Sequence, residues 1–317
     1  MVNYLVTGGA GFIGSSLADK LLEEGNTVIC LDNFDNFYDP EIKKRNIANA
    51  LKNKNYTLIE GDIRDKNALE KCFSVLKIDT VIHLAALAGV RPSIANPELY
   101  FQVNLFGTLN ILEAMRKFQV NKMIFSSSSS IYGNNPKVPF SETDRVDNPI
   151  SPYAASKKSA ELLCHNYHHL YGFDICCLRF FTVYGPRQRP EMAIHLFTKK
   201  IHQGQAISVF GDGTNKRDYT FIGDILNGIT ASILNNDGYE IINLGESFTI
   251  ALNDLVELIE KELGKKAVIE RKPMQPGDVN MTYADVSKAK KNLNYIPSTP
   301  INNGIKKFVE WYLKENT

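Results

Sequence analysis

The sequence predicts an α/β protein, a doubly wound parallel sheet with a smaller C-terminal α/β part, on three observations. Short β-type runs alternate with segments of helical period from residue 4 to residue 181. The runs are apolar almost throughout, as in strands buried on both faces, rather than alternating apolar with polar. After residue 182 the rhythm gives way to polar, turn-rich stretches such as "VYGPRQRPEM", "FGDGTNKRDY" and "PMQPGDV". The division is placed at 1–181 for the sheet domain and 182–317 for the second part, interleaved with the first and returning one or more elements to its sheet.

The elements follow in order. "YLVTG" (4–8) is a strand that ends in glycine, and "FIGSSLADKLLEEG" (12–25) is a helix that stops at Gly25. Further strands read at "TVICLD" (27–32), "YTLIEGD" (56–62), "DTVIHLAA" (79–86), "KMIFSSS" (122–128) and "DICCLRFF" (174–181). Helical segments separate them near 41–51, 66–76, 98–118 and 153–171.

Composition excludes several classes. The 317 residues hold 36 Lys and Arg against 35 Asp and Glu, so no basic field exists for nucleic acid or an anionic membrane. Five cysteines, Cys30, Cys72, Cys164, Cys176 and Cys177, lack metal-ligand spacing, and an odd number argues against a disulfide framework. Most lie in apolar runs and are expected as buried thiols. No signal segment or long apolar span is found, so a cytoplasmic protein is expected.

"TGGAGFIG" puts Gly8, Gly11 and Gly14 between the first strand and the first helix. A turn there needs glycine for its backbone angles, a pyrophosphate needs close backbone approach, and the third glycine lets helix pack on strand. This is the dinucleotide site of a Rossmann sheet. Asp32 ends the second strand eighteen residues after Gly14. Its carboxylate accepts from ribose hydroxyls and repels a 2′-phosphate, which favours NAD over NADP. Asp62 and Ile63 end the third strand, at an adenine edge, and "HLAALAG" (83–89) ends the fourth with small residues over which a cofactor can lie.

Ser128 ends the next strand, and Tyr153 and Lys157 follow at the start of a helix, four residues and one turn apart. Here the chain resembles the extended short-chain dehydrogenase/reductase family. "TGGAGFIG", "HLAALAG", "FSSSSSIYG", "SPYAASK", "LRFFTVYGPR", "GDGTNKRDY" and "PGDV" occur in the family's order. The resemblance implies Tyr153 as general base, its phenol made acidic by the Lys157 ammonium and the cofactor, with Ser128 on the same substrate oxygen. It also implies NAD contacts from Gly8, Gly11, Phe12, Ile13, Gly14, Asp32, Asn33, Asp62, Ile63, Leu84, Ala85, Ala86, Tyr153, Lys157 and Phe180.

The resemblance further points to the nucleotide-sugar 4-epimerase branch. The family's 4,6-dehydratases carry Asp and Glu directly after the catalytic serine, whereas Ser129 and Ser130 stand here. By resemblance Arg217 pairs with the diphosphate of a UDP-sugar and Asp278 with the uridine ribose. Gln275 stands where many UDP-galactose 4-epimerases have an arginine. "DNFDNFYDP", "AGVRPS", "YGPRQRPEMA" and "PMQPGDV" look most like UDP-glucuronate 4-epimerases. In that reading Arg189 with Thr182 clamps the sugar carboxylate, Arg187 stands second, Arg91 meets a phosphate, and Ser129 lines the sugar pocket. UDP-glucose and UDP-N-acetylglucosamine remain alternatives, since Thr282 leaves room for an N-acetyl group, and a non-catalytic NAD-sensing regulator is a more distant one. A homodimer through a four-helix bundle of the segments near 98–118 and 153–171 is the family's expectation.

Overall fold

The computed structural model describes residues 1–273 and 281–316. Its main sheet has seven strands: β1 (Asn3–Thr7), β2 (Thr27–Asp32), β3 (Tyr56–Glu60), β4 (Thr80–His83), β5 (Lys122–Ser128), β6 (Asp174–Phe180) and a later strand, Tyr239–Leu244. From that later strand the order is β6, β5, β4, β1, β2, β3. β1 pairs in parallel with β2 on one side and β4 on the other. Chain order therefore reverses between β1 and β4, and the carboxyl ends of those strands border the crevice where such sheets bind ligands.

The strands and helices expected from residues 4–181 are present. One differs in kind. The helix expected over 98–118 is α-helical at Pro97–Phe101, widens to a π-helix at Gln102–Phe106 and returns to α at Gly107–Phe118. The helix expected at 41–51 runs from Pro40 to Ile47, capped by Asp39, whose side chain accepts from the Glu41 N–H.

The chain divides into two compact units. The first comprises 1–133, 145–179 and 229–242. Its core packs Leu5, Ile29, Val81, Phe125 and Cys177 of the sheet with Leu69, Ile111, Met115 and Cys164 of the helices. All five cysteines are buried and none forms a disulfide.

The second unit comprises 134–144, 180–228 and 243–317. Its short strand pairs are Thr182–Tyr184 with Tyr219–Phe221, Ala206–Phe210 with Val268–Lys272, and Lys216–Arg217 with Ile250–Ala251. Asp218 organises this unit. Its buried carboxylate accepts from the Glu246 N–H at 2.8 Å, the Ser247 and Ala284 N–H groups at 3.1 Å and Thr220 Oγ1 at 3.2 Å. Burial still pushes it up to about 6. Glu246 lies in the same acidic surroundings, and burial followed by Asp224 and Asp218 pushes it up to about 8.

Glu246 therefore keeps a proton in the folded chain over a range where the unfolded chain has lost it, between its ordinary value of 4.5 and about 8. In that window the folded state binds more protons, so stability falls as pH rises. Urea unfolding between pH 5 and pH 8 should show this fall. Glu246→Gln should flatten it and unfold at higher urea than the parent at pH 8; equal slopes in the two proteins would assign the dependence elsewhere.

Candidate active site

The first helix, Phe12–Glu23, starts directly out of the glycine turn. Gly8 has φ +68°, and a Cβ there would come within 2.8 Å of the Ala85 nitrogen at the end of β4. A Cβ on Gly14 would meet the Gly8 carbonyl oxygen at 2.2 Å. A Cβ on Gly11 would press on the Gly8 carbonyl oxygen at 3.2 Å, so that position too has little room for a side chain. Leu84 donates its N–H to the Thr7 carbonyl, and Ala85 donates to Thr7 Oγ1, so the two strand ends are tied together.

Asp32 is buried at the end of β2. One carboxylate oxygen accepts from the Ala10 N–H of the glycine loop at 3.0 Å, and the other accepts from the Phe34 N–H at 2.9 Å. Asp62 has further partners within the chain. Its carboxylate accepts from Asn33 Nδ2, from Arg64 Nε and Nη2, and from the Arg64 N–H, all within 2.7–2.9 Å. The Arg64 guanidinium holds it below the usual carboxylate range, and its four lone-pair sites are filled by these donors rather than left for an adenine amino group. Ile63 is buried against Gly107. Phe12 is buried and Ile13 half-buried at the helix start, Leu84, Ala85 and Ala86 are half-buried after β4, and Phe180 is buried at the end of β6. A glycine turn with little room for side chains, beside a carboxylate at the second strand end, fits the pyrophosphate and ribose of a dinucleotide.

The helix Pro152–Tyr171 starts from Ser151, whose side chain accepts from the Ala154 N–H, with Pro152 in the first turn. It presents Tyr153, Lys157 and Glu161 at successive turns, all buried. Lys157 Nζ donates to the Ser126 carbonyl of β5 at 2.7 Å and lies 5.0 Å from the centre of the Phe125 ring. Burial pushes Lys157 down to about 8, partly offset by Cys164, Glu161 and Cys177. Ser128 Oγ accepts from the Ser130 N–H and caps the short turn Ser129–Tyr132, which leaves its O–H proton for another acceptor. The end of β5 and the start of this helix are thus brought together, as the sequence suggests.

Sequence reasoning missed what holds that helix. Glu161 accepts from Ser127 Oγ at 2.6 Å and from Arg179 through Nε and Nη2, each at 2.9 Å. Arg179 Nη1 also donates to the Tyr132 hydroxyl at 3.0 Å. Burial raises Glu161, and Arg179 more than offsets it, so the carboxyl lies below its ordinary value. It also missed Asn104 in the π-helix. That buried amide accepts from the Leu87 N–H and donates to the Leu87 carbonyl and to Ser156 Oγ. The widened turn aims Asn104 at a backbone seventeen residues earlier, which an unbroken α-helix would not do. Tyr100 stands edge-on to Tyr153, ring centres 6.2 Å apart, and is anchored to the Ala88 carbonyl.

Arg91 is exposed in the short helix Val90–Ala95, and Ser129 is half-buried. In the second unit Thr182 opens its strand, its N–H donating to the Asp218 carbonyl. Arg187 has φ +68°. Arg189 Nε lies 3.0 Å from Glu191. The residue between the two arginines, Gln188, is the one that builds their loop: its buried amide bonds Val183 and His195. Arg217 Nη1 donates to the Lys216 carbonyl. Thr282 Oγ1 accepts from the Asp218 N–H. Gln275 and Asp278 lie outside the described residues.

The family model described as GDP-mannose 4,6 dehydratase matches residues 5–308. The chain belongs to the extended short-chain dehydrogenase/reductase family, in its nucleotide-sugar 4-epimerase branch. The UDP-glucuronate 4-epimerase of Thermodesulfobacterium geofontis is 49% identical over 315 residues, 99% of this chain and 96% of that protein. UDP-glucuronate 4-epimerase 4 of Arabidopsis thaliana is 42% identical over 98% of this chain and 75% of its own length. Among solved structures, the Bacillus cereus UDP-glucuronic acid 4-epimerase in complex with UDP-glucuronic acid and NAD superposes with a TM-score of 0.93. It is 36% identical, over 99% of this chain and 100% of that one. Glycine turn, strand-end carboxylate and Tyr153–Lys157 helix are the parts through which this reductase-family chain would bind a dinucleotide.

The buried pair makes a testable demand. Arg179→Met strands the Glu161 carboxylate and should cost about 3–5 kcal/mol, the usual loss when one partner of a buried ion pair is removed. In urea unfolding the Glu161→Leu/Arg179→Met double variant should recover much of that loss. A double variant as unstable as the single one would show that the charge was not the cause.

Proposed function

We propose that the chain is an NAD-dependent UDP-sugar 4-epimerase that interconverts UDP-glucuronate and UDP-galacturonate. The observation that carries the reading is the buried Tyr153–Lys157 turn at the end of β5, with serines rather than acids at 129 and 130. The similarity to UDP-glucuronate 4-epimerases over nearly the whole chain supports the choice of sugar.

NAD⁺, when bound, supplies the acceptor for the C4 hydride and gives the hydride back. Tyr153 takes the C4 hydroxyl proton during oxidation and returns it during reduction. Lys157 lowers the cost of the phenolate and, held by Ser126, meets the nicotinamide ribose. Ser128 donates its O–H to the C4 oxygen. Ser129 and Ser130 offer no acid or base strong enough to eliminate water, so the 4-keto sugar turns over and is reduced on its other face. Asp32 holds the adenosine ribose, and the turn around Gly8, Gly11 and Gly14 takes the pyrophosphate. Arg217 and Asp278 bind the diphosphate and uridine ribose, and Arg91 a phosphate.

Oxidising C4 of UDP-glucuronate makes a β-keto acid, which loses CO₂ when its carboxylate bond aligns with the carbonyl π system. Arg189 with Thr182 holds the carboxylate out of that alignment, with Arg187 second. Glu191 lies 3.0 Å from Arg189 Nε and orients the guanidinium. The enzyme acts as a cytoplasmic homodimer. Free thiols suit a reducing compartment. Apolar side chains exposed along the two long helices, Phe106, Leu162 and Leu170, suit a four-helix interface.

Incubated with UDP-glucuronate and no added nucleotide, the purified protein should form UDP-galacturonate without accumulating NADH. Tyr153→Phe should lower the rate at least 100-fold, about 2.7 kcal/mol of barrier, while still retaining NAD. Loss of less than tenfold would assign the base to another group. Arg189→Ala should weaken UDP-glucuronate turnover by roughly 2–4 kcal/mol in kcat/KM terms and leave any UDP-glucose turnover little changed. Equal losses on both sugars, or a parent that prefers UDP-glucose, would replace glucuronate with a neutral sugar.

A further inference from the structure

The carboxylate that would select NAD does not face the ribose site as a lone charge. Lys43, in the helix Pro40–Ile47, is buried, and its Nζ lies 3.9 Å from Asp32 Oδ1. Lys43 Nζ donates to the Asp35 carbonyl at 2.9 Å and sits 5.0 Å from the centre of the Tyr38 ring. The Tyr38 hydroxyl in turn is 3.9 Å from where a Cβ on Gly11 would be, beside the glycine turn. Asn46 of the same helix donates to the Ala10 carbonyl, so the helix is fastened to that turn. A buried ammonium, a carboxylate and a phenol hydroxyl thus surround the end of the glycine loop where an adenosine ribose belongs.

This arrangement changes what Asp32 can do. With an ammonium 3.9 Å away, the pair carries little net charge. Repulsion of a 2′-phosphate is then weaker than a solitary carboxylate would exert. Discrimination rests instead on the acceptor oxygens of Asp32, which match hydroxyls, and on the space the carboxylate fills. An ammonium is a phosphate ligand in its own right.

On the reading that the chain binds NAD, we propose that Lys43 is a specificity-determining residue of the cofactor site. It offsets the charge of Asp32, whose place is set by the Ala10 and Phe34 N–H groups, and is a latent ligand for a 2′-phosphate that Asp32 keeps from use. Two consequences run in opposite directions. Removing Asp32 opens the space and leaves one more positive charge beside the ribose, so preference moves to NADP. Removing Lys43 while keeping Asp32 leaves the carboxylate without its ammonium, so NADP is excluded more strongly than in the parent although NAD itself is held less well.

The test is competitive retention. Each purified protein is stripped of nucleotide, incubated with equal concentrations of NAD⁺ and NADP⁺ and freed of unbound nucleotide. Retained cofactor is then released by denaturation and quantified by chromatography. Melting curves recorded in parallel report whether each variant is folded. The parent should retain NAD⁺ in large excess. Asp32→Ala should shift the ratio toward NADP⁺ by about 10- to 100-fold, the range of one charge-assisted hydrogen bond. Asp32→Ala/Lys43→Met should lose most of that gain. Lys43→Met alone should raise the NAD⁺ to NADP⁺ ratio above the parent's. The proposal falls if the gain in NADP⁺ survives in the double variant, or if Lys43→Met lowers the ratio. Should Asp32→Ala not fold, the Lys43→Met ratio decides alone. A folded parent that retains neither nucleotide would instead overturn the cofactor reading itself.

Discussion

The buried contact between Glu161 and Arg179 is the constraint on which the placement of Tyr153 and Lys157 depends. It fixes the rotation of the helix Pro152–Tyr171 about its axis, because Glu161 reaches Ser127 of β5 and Arg179 of β6 in one set of hydrogen bonds. From Glu161 the same face passes Lys157 one turn earlier and Tyr153 a turn before that. A helix held only by apolar packing could roll by a fraction of a turn at small cost. One pinned by a two-pronged guanidinium–carboxylate contact cannot roll without exposing a buried charge. Lys157 then finds the Ser126 carbonyl, and Ser128 follows two residues along the same strand.

Electrostatics around that face are arranged so that few groups change charge near neutral pH. His83, at the end of β4, is pushed down to about 3 by burial and then by Lys157, and its ring bonds Thr7 and Thr108 as a neutral group. Glu161 is held as an anion by Arg179, and burial pushes Lys157 down to about 8. This pattern suits the proposed reaction, in which Tyr153 gives and takes a proton within each cycle. It leaves no second acid–base pair in the turn Ser129–Tyr132 to divert a keto sugar into elimination.

Much of this was legible in the sequence, for physical reasons that also mark where legibility stops. The sheet and its helices could be read because buried parallel strands are nearly continuous apolar runs. The glycine turn could be read because no other residue fits at Gly8 or Gly14. Tyr153 and Lys157 stood out because helical spacing is local. Asn104 could not be read, since its purpose is a backbone at Leu87 and its signal is only an amide inside a helical pattern. Arg179 gave a clue, a charge within "DICCLRFF", because an arginine in a buried strand needs an anion. Glu161 looked like one more polar residue on a long helix. The pairings of Asp62 with Arg64 and Asn33, and of Arg189 with Glu191, are three-dimensional facts that residue types alone do not specify. "KRDY" drew attention to Arg217, while its neighbour Asp218 proved to be the buried hub of the second unit.

In the proposed reaction hydrogen leaves C4 of the sugar and returns to C4 of the same sugar without meeting solvent. UDP-glucuronate carrying deuterium at C4, turned over in ordinary water, tests it most directly. UDP-galacturonate should keep the deuterium at C4, with no label lost to water and none gained at C5. Product that has exchanged its label with solvent, or that is inverted at C5 rather than C4, would contradict it.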